Sequence, residues 1–151
     1  MARFVTTVES SATPADAFEL IANFSNIMSW DPGIGSAKRL DSGPIEVGSR
    51  FLVESVFGPR RIPLEYEVLE WIAPNFAVLQ ARTRDFTSYD VISVSKVPGG
   101  SAVTYDADLR LHGVRRVFDL PLLAAFQIIG RRAESGMRRE LAKVAASTNR
   151  G

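Results

Sequence analysis

The chain has no cysteine and a single histidine among its 151 residues. The missing thiols exclude disulfides, thiol nucleophiles, iron–sulfur clusters and cysteine-based zinc sites. A lone imidazole excludes any two-histidine metal site and leaves His112 as one candidate base. Long apolar runs are missing as well. The most apolar stretch, Leu120 to Gly130, is interrupted by Pro121 and Gln127 and falls far short of the ~20 residues that span a bilayer. Residues Met1 to Glu9 alternate and turn polar at once, unlike the apolar core of a secretory signal. The location expected is the cytoplasm, and no cofactor or metal is expected.

What is present reads as one soluble globular domain over residues 1–151, with 46% hydrophobic and 23% charged residues. A chain of this size buries about 70% of its unfolded surface and needs no staple. The net charge of +1 is unevenly spread: residues 114–151 carry +5 and the preceding part −4. The basic residues of that last part are Arg115, Arg116, Arg131, Arg132, Arg138, Arg139, Lys143 and Arg150. A basic helix could track phosphates or an anionic surface; a solvated helix face is the preferred reading.

Residues 3–11 alternate as a strand, with Phe4, Thr6, Val8 and Ser10 on one side. Thr13-Pro14-Ala15-Asp16 starts a helix: Thr13 can cap, Pro14 suits the first position, and Asp16 meets the free amides. Ser25 is read as the cap of a second short helix carrying Ile27 and Met28, ending at Trp30-Asp31-Pro32-Gly33. Gly- and Pro-rich breaks then leave six strand segments, roughly 35–41, 50–57, 60–72, 76–83, 86–97 and 101–112. Short connections imply an antiparallel meander, long enough to curl. Finally Leu122, Phe126, Ile129, Ala133, Met137, Leu141 and Val144 form a helical stripe. A helix from 122 to 147 would be about 39 Å long and must lie across the sheet.

Several stretches, in order, carry a family resemblance. They are Ala12-Thr13-Pro14-Ala15-Asp16-Ala17-Phe18, Ile27-Met28-Ser29-Trp30-Asp31-Pro32-Gly33, Val47-Gly48-Ser49-Arg50-Phe51 and Tyr66-Glu67-Val68-Leu69-Glu70-Trp71. The chain resembles the SRPBCC superfamily (START-type lipid-transfer and birch-pollen-allergen-like proteins), in its polyketide cyclase/dehydrase branch. The resemblance implies an α+β helix-grip fold: a seven-stranded curved antiparallel sheet around a long C-terminal helix, with two short helices after strand 1. It also implies a cavity between sheet and helix. Members bind lipids, polyketides, hormones or isoprenoids, and a minority catalyse cyclisation, aromatisation or dehydration. The motifs themselves are mostly caps, turns and packing residues, so they speak to fold before activity.

Alternation assigns the inward face. Glu54 pointing outward places Phe51, Val53, Ser55 and Phe57 inside, and Glu65 and Glu67 outward place Ile62, Leu64, Tyr66 and Val68 inside. Asp106, Asp108 and Arg110 outward place Val103, Tyr105, Ala107, Leu109 and Leu111 inside. Segment 86–97 has two faces, Tyr89, Val91, Ser93 and Ser95 against Phe86, Asp90, Ile92 and Val94. If Gly99-Gly100 closes a hairpin whose paired numbers sum to an even value, Tyr89 and Ser93 share the face of Tyr105. That register is the one expected, since a cavity tolerates serines better than a packed core does. Segments 35–41 and 76–83 do not resolve. The helix contributes Phe126 and Gly130, the glycine either clearing volume for a ligand or admitting the sheet; Gly136 carries the same ambiguity.

For chemistry, Tyr66, Tyr89 and Tyr105 are the polar candidates, able to orient a carbonyl or donate a proton. Each could equally pack by its ring. His112 alternates outward and has no partner for a triad. Asp90 gains an acid–base role only in the other register, and Glu54 only under a one-residue slip. Trp30 is read as a plug between short helix and sheet. Trp71 falls on the outer face unless a bulge intervenes, marking a dimer surface or covering an edge. Gly33-Ile34-Gly35 lacks the following helix of a dinucleotide fingerprint, and no basic aromatic face for RNA is found. The expected function is binding of a hydrophobic polyketide-, lipid- or isoprenoid-like molecule. The alternatives are a cyclase, aromatase or dehydrase that positions its substrate with tyrosine hydroxyls, and an interaction module acting through the basic helix. The expected partners are thus a small molecule, no nucleic acid and no inserted membrane, with a homodimer left open.

Overall fold

A computed structural model describes residues 2–113 and 119–150, with the backbone alone for 119–123 and 148–150. Strand β1 (Ala2–Ser10) leads into α1 (Pro14–Ala22), a 3₁₀ turn (Phe24–Asn26) and α2 (Ile27–Trp30). Then come β2 (Ile34–Arg39), β3 (Arg50–Phe57), β4 (Arg60–Ile72), β5 (Phe76–Arg82), β6 (Phe86–Val97), β7 (Gly100–Leu111) and α3 (Asp119–Arg150). The seven strands form one antiparallel sheet in the order β1-β7-β6-β5-β4-β3-β2. This is the α+β helix-grip architecture, a curved sheet with a long C-terminal helix.

Local chemistry sets the early elements. Thr13 Oγ1 accepts the Asp16 amide at 3.2 Å, and Pro14 occupies the first turn of α1. The next cap is Asn23, not Ser25: its side-chain oxygen accepts the Ser25 amide at 3.0 Å and opens the 3₁₀ turn. An Asx side chain bonds readily to the amide two residues ahead, so Asn23 starts the turn and Ser25 falls inside it.

Two irregularities re-aim side chains. Between Val68 and Glu70 the β4–β5 register shifts by one residue at Leu69. That bulge turns Trp71 inward, where its ring lies 4.8 Å from that of Phe18 on α1. Trp71 is therefore covered within the chain, and its outer-face placement is corrected. The second shift lies in β2, where Ile34 pairs with Ser55 and Ser36 with Glu54.

The inner faces of β1, β4, β5 and β7 are buried through Phe4, Val68, Leu79 and Val103. Helix α3 rests chiefly on β1 and against α1 and α2. Of its stripe, Ala133, Met137 and Leu141 are buried and Phe126, Ile129 and Val144 half-buried; the Leu122 side chain lies outside the described residues, as do Arg115, Arg116 and the Arg150 side chain. Both helix glycines mark close approaches. A Cβ on Gly136 would stand 1.8 Å from the Trp30 carbonyl oxygen, and one on Gly130 2.4–2.6 Å from the Phe4 ring. Gly136 thus admits α2, which decides its reading in favour of close packing, while Gly130 admits the Phe4 ring of β1 and also borders the hollow described below.

Candidate functional site

Because α3 leans on β1, the middle strands are left uncovered opposite it. A hollow of about 280 Å³ opens there, bounded by β1, β3, β4, β6, β7, the end of α2 and the first half of α3. Its lining is mostly aliphatic and aromatic, including Phe4, Ile62, Leu64, Phe86, Leu111 and Ile129.

Several residues singled out from the sequence stand at this hollow: Ser55, Phe57, Leu64, Tyr66, Tyr105, Leu109, Phe126 and Gly130. Phe51 and Val53 do not. They point inward but are fully buried further along β3, and Phe51 faces Phe24 at 6.3 Å. Tyr89 and Ser93 do not either, because β6 takes the other register. Ile92 pairs with Tyr105 and Val97 with Gly100, an odd total. The hairpin corner is Pro98-Gly99, with Gly99 at φ +83°, the arrangement of a type II turn. A corner of two residues makes that total odd, where a corner with an odd number of residues would make it even, and this change of parity turns every β6 side chain over from the face expected. Tyr89 therefore lies on the outer face, where the Arg110 guanidinium sits 5.2 Å from its ring centre.

The same turn brings Asp90 inside, 2% exposed. Its Oδ2 accepts a hydrogen bond from the Tyr105 hydroxyl at 3.0 Å, and its Oδ1 a longer one from Ser88 Oγ at 3.4 Å. Ser88 Oγ lies 3.2 Å from the Tyr66 hydroxyl. One continuous chain, Tyr66–Ser88–Asp90–Tyr105, thus runs across β4, β6 and β7. Burial pushes the Asp90 carboxyl up to about 7 against the smaller opposing pull of the Tyr105 hydrogen bond. Both phenols are pushed well above the ordinary tyrosine range, by burial first and by the negative charge of Asp90 second.

A second carboxyl reaches the hollow from the end of α2. Asp31 Oδ1 accepts the Gly33 amide at 2.9 Å, and burial raises its carboxyl to about 6. The two acids feel each other's charge. Among the described residues, no lysine, arginine or histidine lines the hollow. Asp31 and Ser88 were missed in the sequence. Asp31 read as a helix stop, which it also is, while Ser88 follows from Asp90 once the register is known.

Other candidates fall elsewhere. His112 faces the outer side, with Nε2 2.8 Å from Thr87 Oγ1 and Nδ1 3.2 Å from the Arg84 carbonyl. Glu54 pairs with Arg61 at 2.6 Å on the outer face. Trp30 is fully buried, donates its indole N–H to the Leu20 carbonyl at 3.2 Å and meets Tyr105 edge-on at 5.5 Å, as a plug does. On α3, Arg138 pairs with Glu134, and Arg139 and Lys143 with Glu140, the pattern of a solvated face. A neighbouring recess of about 290 Å³ shares Phe57 and Ile129 with the hollow and adds Val56, Ile128 and Arg132, outside the hydrogen-bonded chain. Among the described residues no cluster suited to a metal ion occurs, and no helix is long and apolar enough to cross a membrane.

Comparison with known proteins places this geometry. The sequence model of the family described as polyketide cyclase/dehydrase and lipid transport matches residues 1–147. No curated protein matches the chain by sequence. Among solved structures, TTHA0849 from Thermus thermophilus superposes with a TM-score of 0.74 at 12% identity, over 92% of this chain and 96% of that one. A protein from Arthrobacter aurescens gives 0.69 at 10% identity, over 92% and 85%. Ara h 8.0201 gives 0.56 at 14% identity, over 88% and 97%. At these identities the likeness speaks to fold alone.

Proposed function

The chain belongs to the polyketide cyclase/dehydrase and lipid-transport family within the SRPBCC superfamily, and on that premise we propose that its hollow binds a compact hydrophobic small molecule carrying one polar end. The observation that carries this reading is the contrast inside the hollow: aliphatic and aromatic walls around a single polar cluster of Asp31, Tyr66, Ser88, Asp90 and Tyr105. An apolar body gains about 25 cal/mol for each Å² it buries, so a two-ring molecule hiding some 200 Å² gains about 5 kcal/mol. The polar cluster then sets orientation, since a group left unpaired there costs about 1–3 kcal/mol. A carbonyl or hydroxyl suits the cluster and a carboxylate does not, because a buried acid and a half-buried one already share the space with no counter-charge among the described residues.

The test is displacement of an apolar fluorescent dye, 1-anilinonaphthalene-8-sulfonate, by α-tetralone, with wild type beside Leu109→Trp. Leu109 lines the hollow without joining the hydrogen-bonded chain. Competition in wild type that is lost in Leu109→Trp, at unchanged urea midpoint, supports the reading. Equal competition in both proteins overturns it. Native mass spectrometry of protein from its own host identifies what the hollow carries.

A further inference from the structure

The two carboxyls at the hollow differ in how they are held. Asp31 Oδ1 takes the Gly33 amide, and Oδ2 takes no hydrogen bond among the described residues. Asp31 is half-buried and lines the hollow. Asp90 is the reverse: almost wholly buried, with both oxygens engaged and its outlet to the hollow running through Ser88 to the Tyr66 hydroxyl. Asp31 raises the Asp90 carboxyl through its charge, and no basic residue among the described lining offsets this, so the more deeply buried Asp90 keeps its proton after Asp31 has lost its own.

Resting on the binding reading above, we propose that the hollow is an acid–base site for enolisable ketones, in which Asp31 removes a proton α to the carbonyl and Tyr66, fed by Ser88 and Asp90, protonates the carbonyl oxygen. The step balances as follows. The α C–H bond breaks and its proton goes to Asp31 Oδ2, while its electron pair becomes the enol double bond. The carbonyl π pair takes the Tyr66 proton; Tyr66 regains one from Ser88, and Ser88 from Asp90. The negative charge has moved from Asp31 to Asp90, and the enol is neutral. Reversal with a solvent-exchanged proton on Asp31 returns the ketone with a new α hydrogen. Tyr66 and Asp31 are the catalytic residues; Ser88 and Asp90 are positioning residues, and Tyr105 holds Asp90 through its Oδ2.

The titratable groups facing the pair are Tyr66 from β4 and Tyr105 from β7. Among the described residues, the parts of α3, β1, β2 and β3 that face the hollow, such as Phe126, Phe4, Ile34 and Ser55, carry none. Activity therefore needs Asp31 ionised and Asp90 protonated, which places the optimum between about pH 6 and 7.

The experiment follows loss of the C2 proton signal of α-tetralone in D₂O by NMR, with wild type, Asp31→Asn, Tyr66→Phe and Asp90→Asn. Asn at 31 keeps an oxygen for the Gly33 amide, and thermal melts check that each variant is folded. Expected is exchange above the buffer rate with a bell-shaped pH profile. It falls on the order of 100-fold in Asp31→Asn and on the order of 10-fold in Tyr66→Phe, and Asp90→Asn loses the alkaline limb of the bell. Exchange in wild type at the buffer rate, with dye displacement intact, overturns the acid–base assignment and leaves the binding reading standing. Exchange that survives in Asp31→Asn, or an alkaline limb retained in Asp90→Asn, overturns the roles given to those residues. Failure of α-tetralone to displace the dye brings down the binding reading as well.

Discussion

The Tyr105 hydroxyl donates a 3.0 Å hydrogen bond to Asp90 Oδ2 inside a hollow where no basic residue is found among the described lining. A carboxyl in such a place is neutral far above its ordinary range, and stability should register that.

In the unfolded chain Asp90 ionises near 3.8, and in the folded chain only near about 7. Between those values the folded state binds more protons, so stability falls as pH rises and levels off once the folded carboxyl has ionised. The loss is on the order of a few kcal/mol. Urea denaturation from pH 4 to 8 should show this slope in wild type and a flatter one in Asp90→Asn, with Asp31 supplying the remainder. An unchanged slope in the variant would count against a buried, uncompensated acid.

The two phenols should respond differently to loss of their hydroxyls. Tyr105→Phe leaves Asp90 Oδ2 without its donor, and a hydrogen bond to a charged group contributes about 1.5–3 kcal/mol. Its cost should therefore be larger at pH 8 than at pH 5. Tyr66→Phe removes a bond between two neutral hydroxyls and should cost about 1 kcal/mol at either pH. Chemical denaturation at the two pH values separates them.

Gly136→Ala and Gly130→Ala should rank in that order of damage. The new methyl at 136 meets the rigid Trp30 backbone at 1.8 Å, whereas at 130 it meets the Phe4 ring, which can turn away. Overpacking costs about 1–3 kcal/mol, and a helical Gly→Ala change returns about 1 kcal/mol. Thermal melts should show Gly136→Ala clearly destabilised and Gly130→Ala much less so.

Trp71→Ala tests the bulge. With the ring packed on Phe18, truncation should cost about 2 kcal/mol or more. A ring on the outer face of the sheet would cost under about 0.5 kcal/mol.

Much of this molecule was legible in its sequence because the signals were local. Thr13 and Pro14 announce α1, the break residues delimit six strands, and the alternation of Val103, Tyr105, Ala107 and Leu109 gives the inner face of β7. The stripe from Phe126 to Val144 gives the lower part of α3 in the same way. What escaped depends on single-residue offsets. Alternation carries no information about where a strand slips, so the Leu69 bulge hid the true side of Trp71. The corner at Pro98-Gly99 holds two residues, so the paired numbers sum to an odd value where an even one was expected, and that exchanged Tyr89 and Ser93 for Ser88 and Asp90. Asp31 was concealed for a different reason: a residue that stops a helix looks the same whether or not its carboxyl also faces a void.

The corner between β6 and β7 has a reach out of proportion to its size. It lies at the far end of a twelve-residue ribbon, yet it decides which set of side chains the chamber sees. Inserting one residue beside it, with the corner kept at two residues and the strands re-paired, would slip the register by one, present a phenol and a serine to the guest and hand the buried acid to water. Relatives with the same backbone outline could in this way differ completely in the chemistry of their interiors, through register alone.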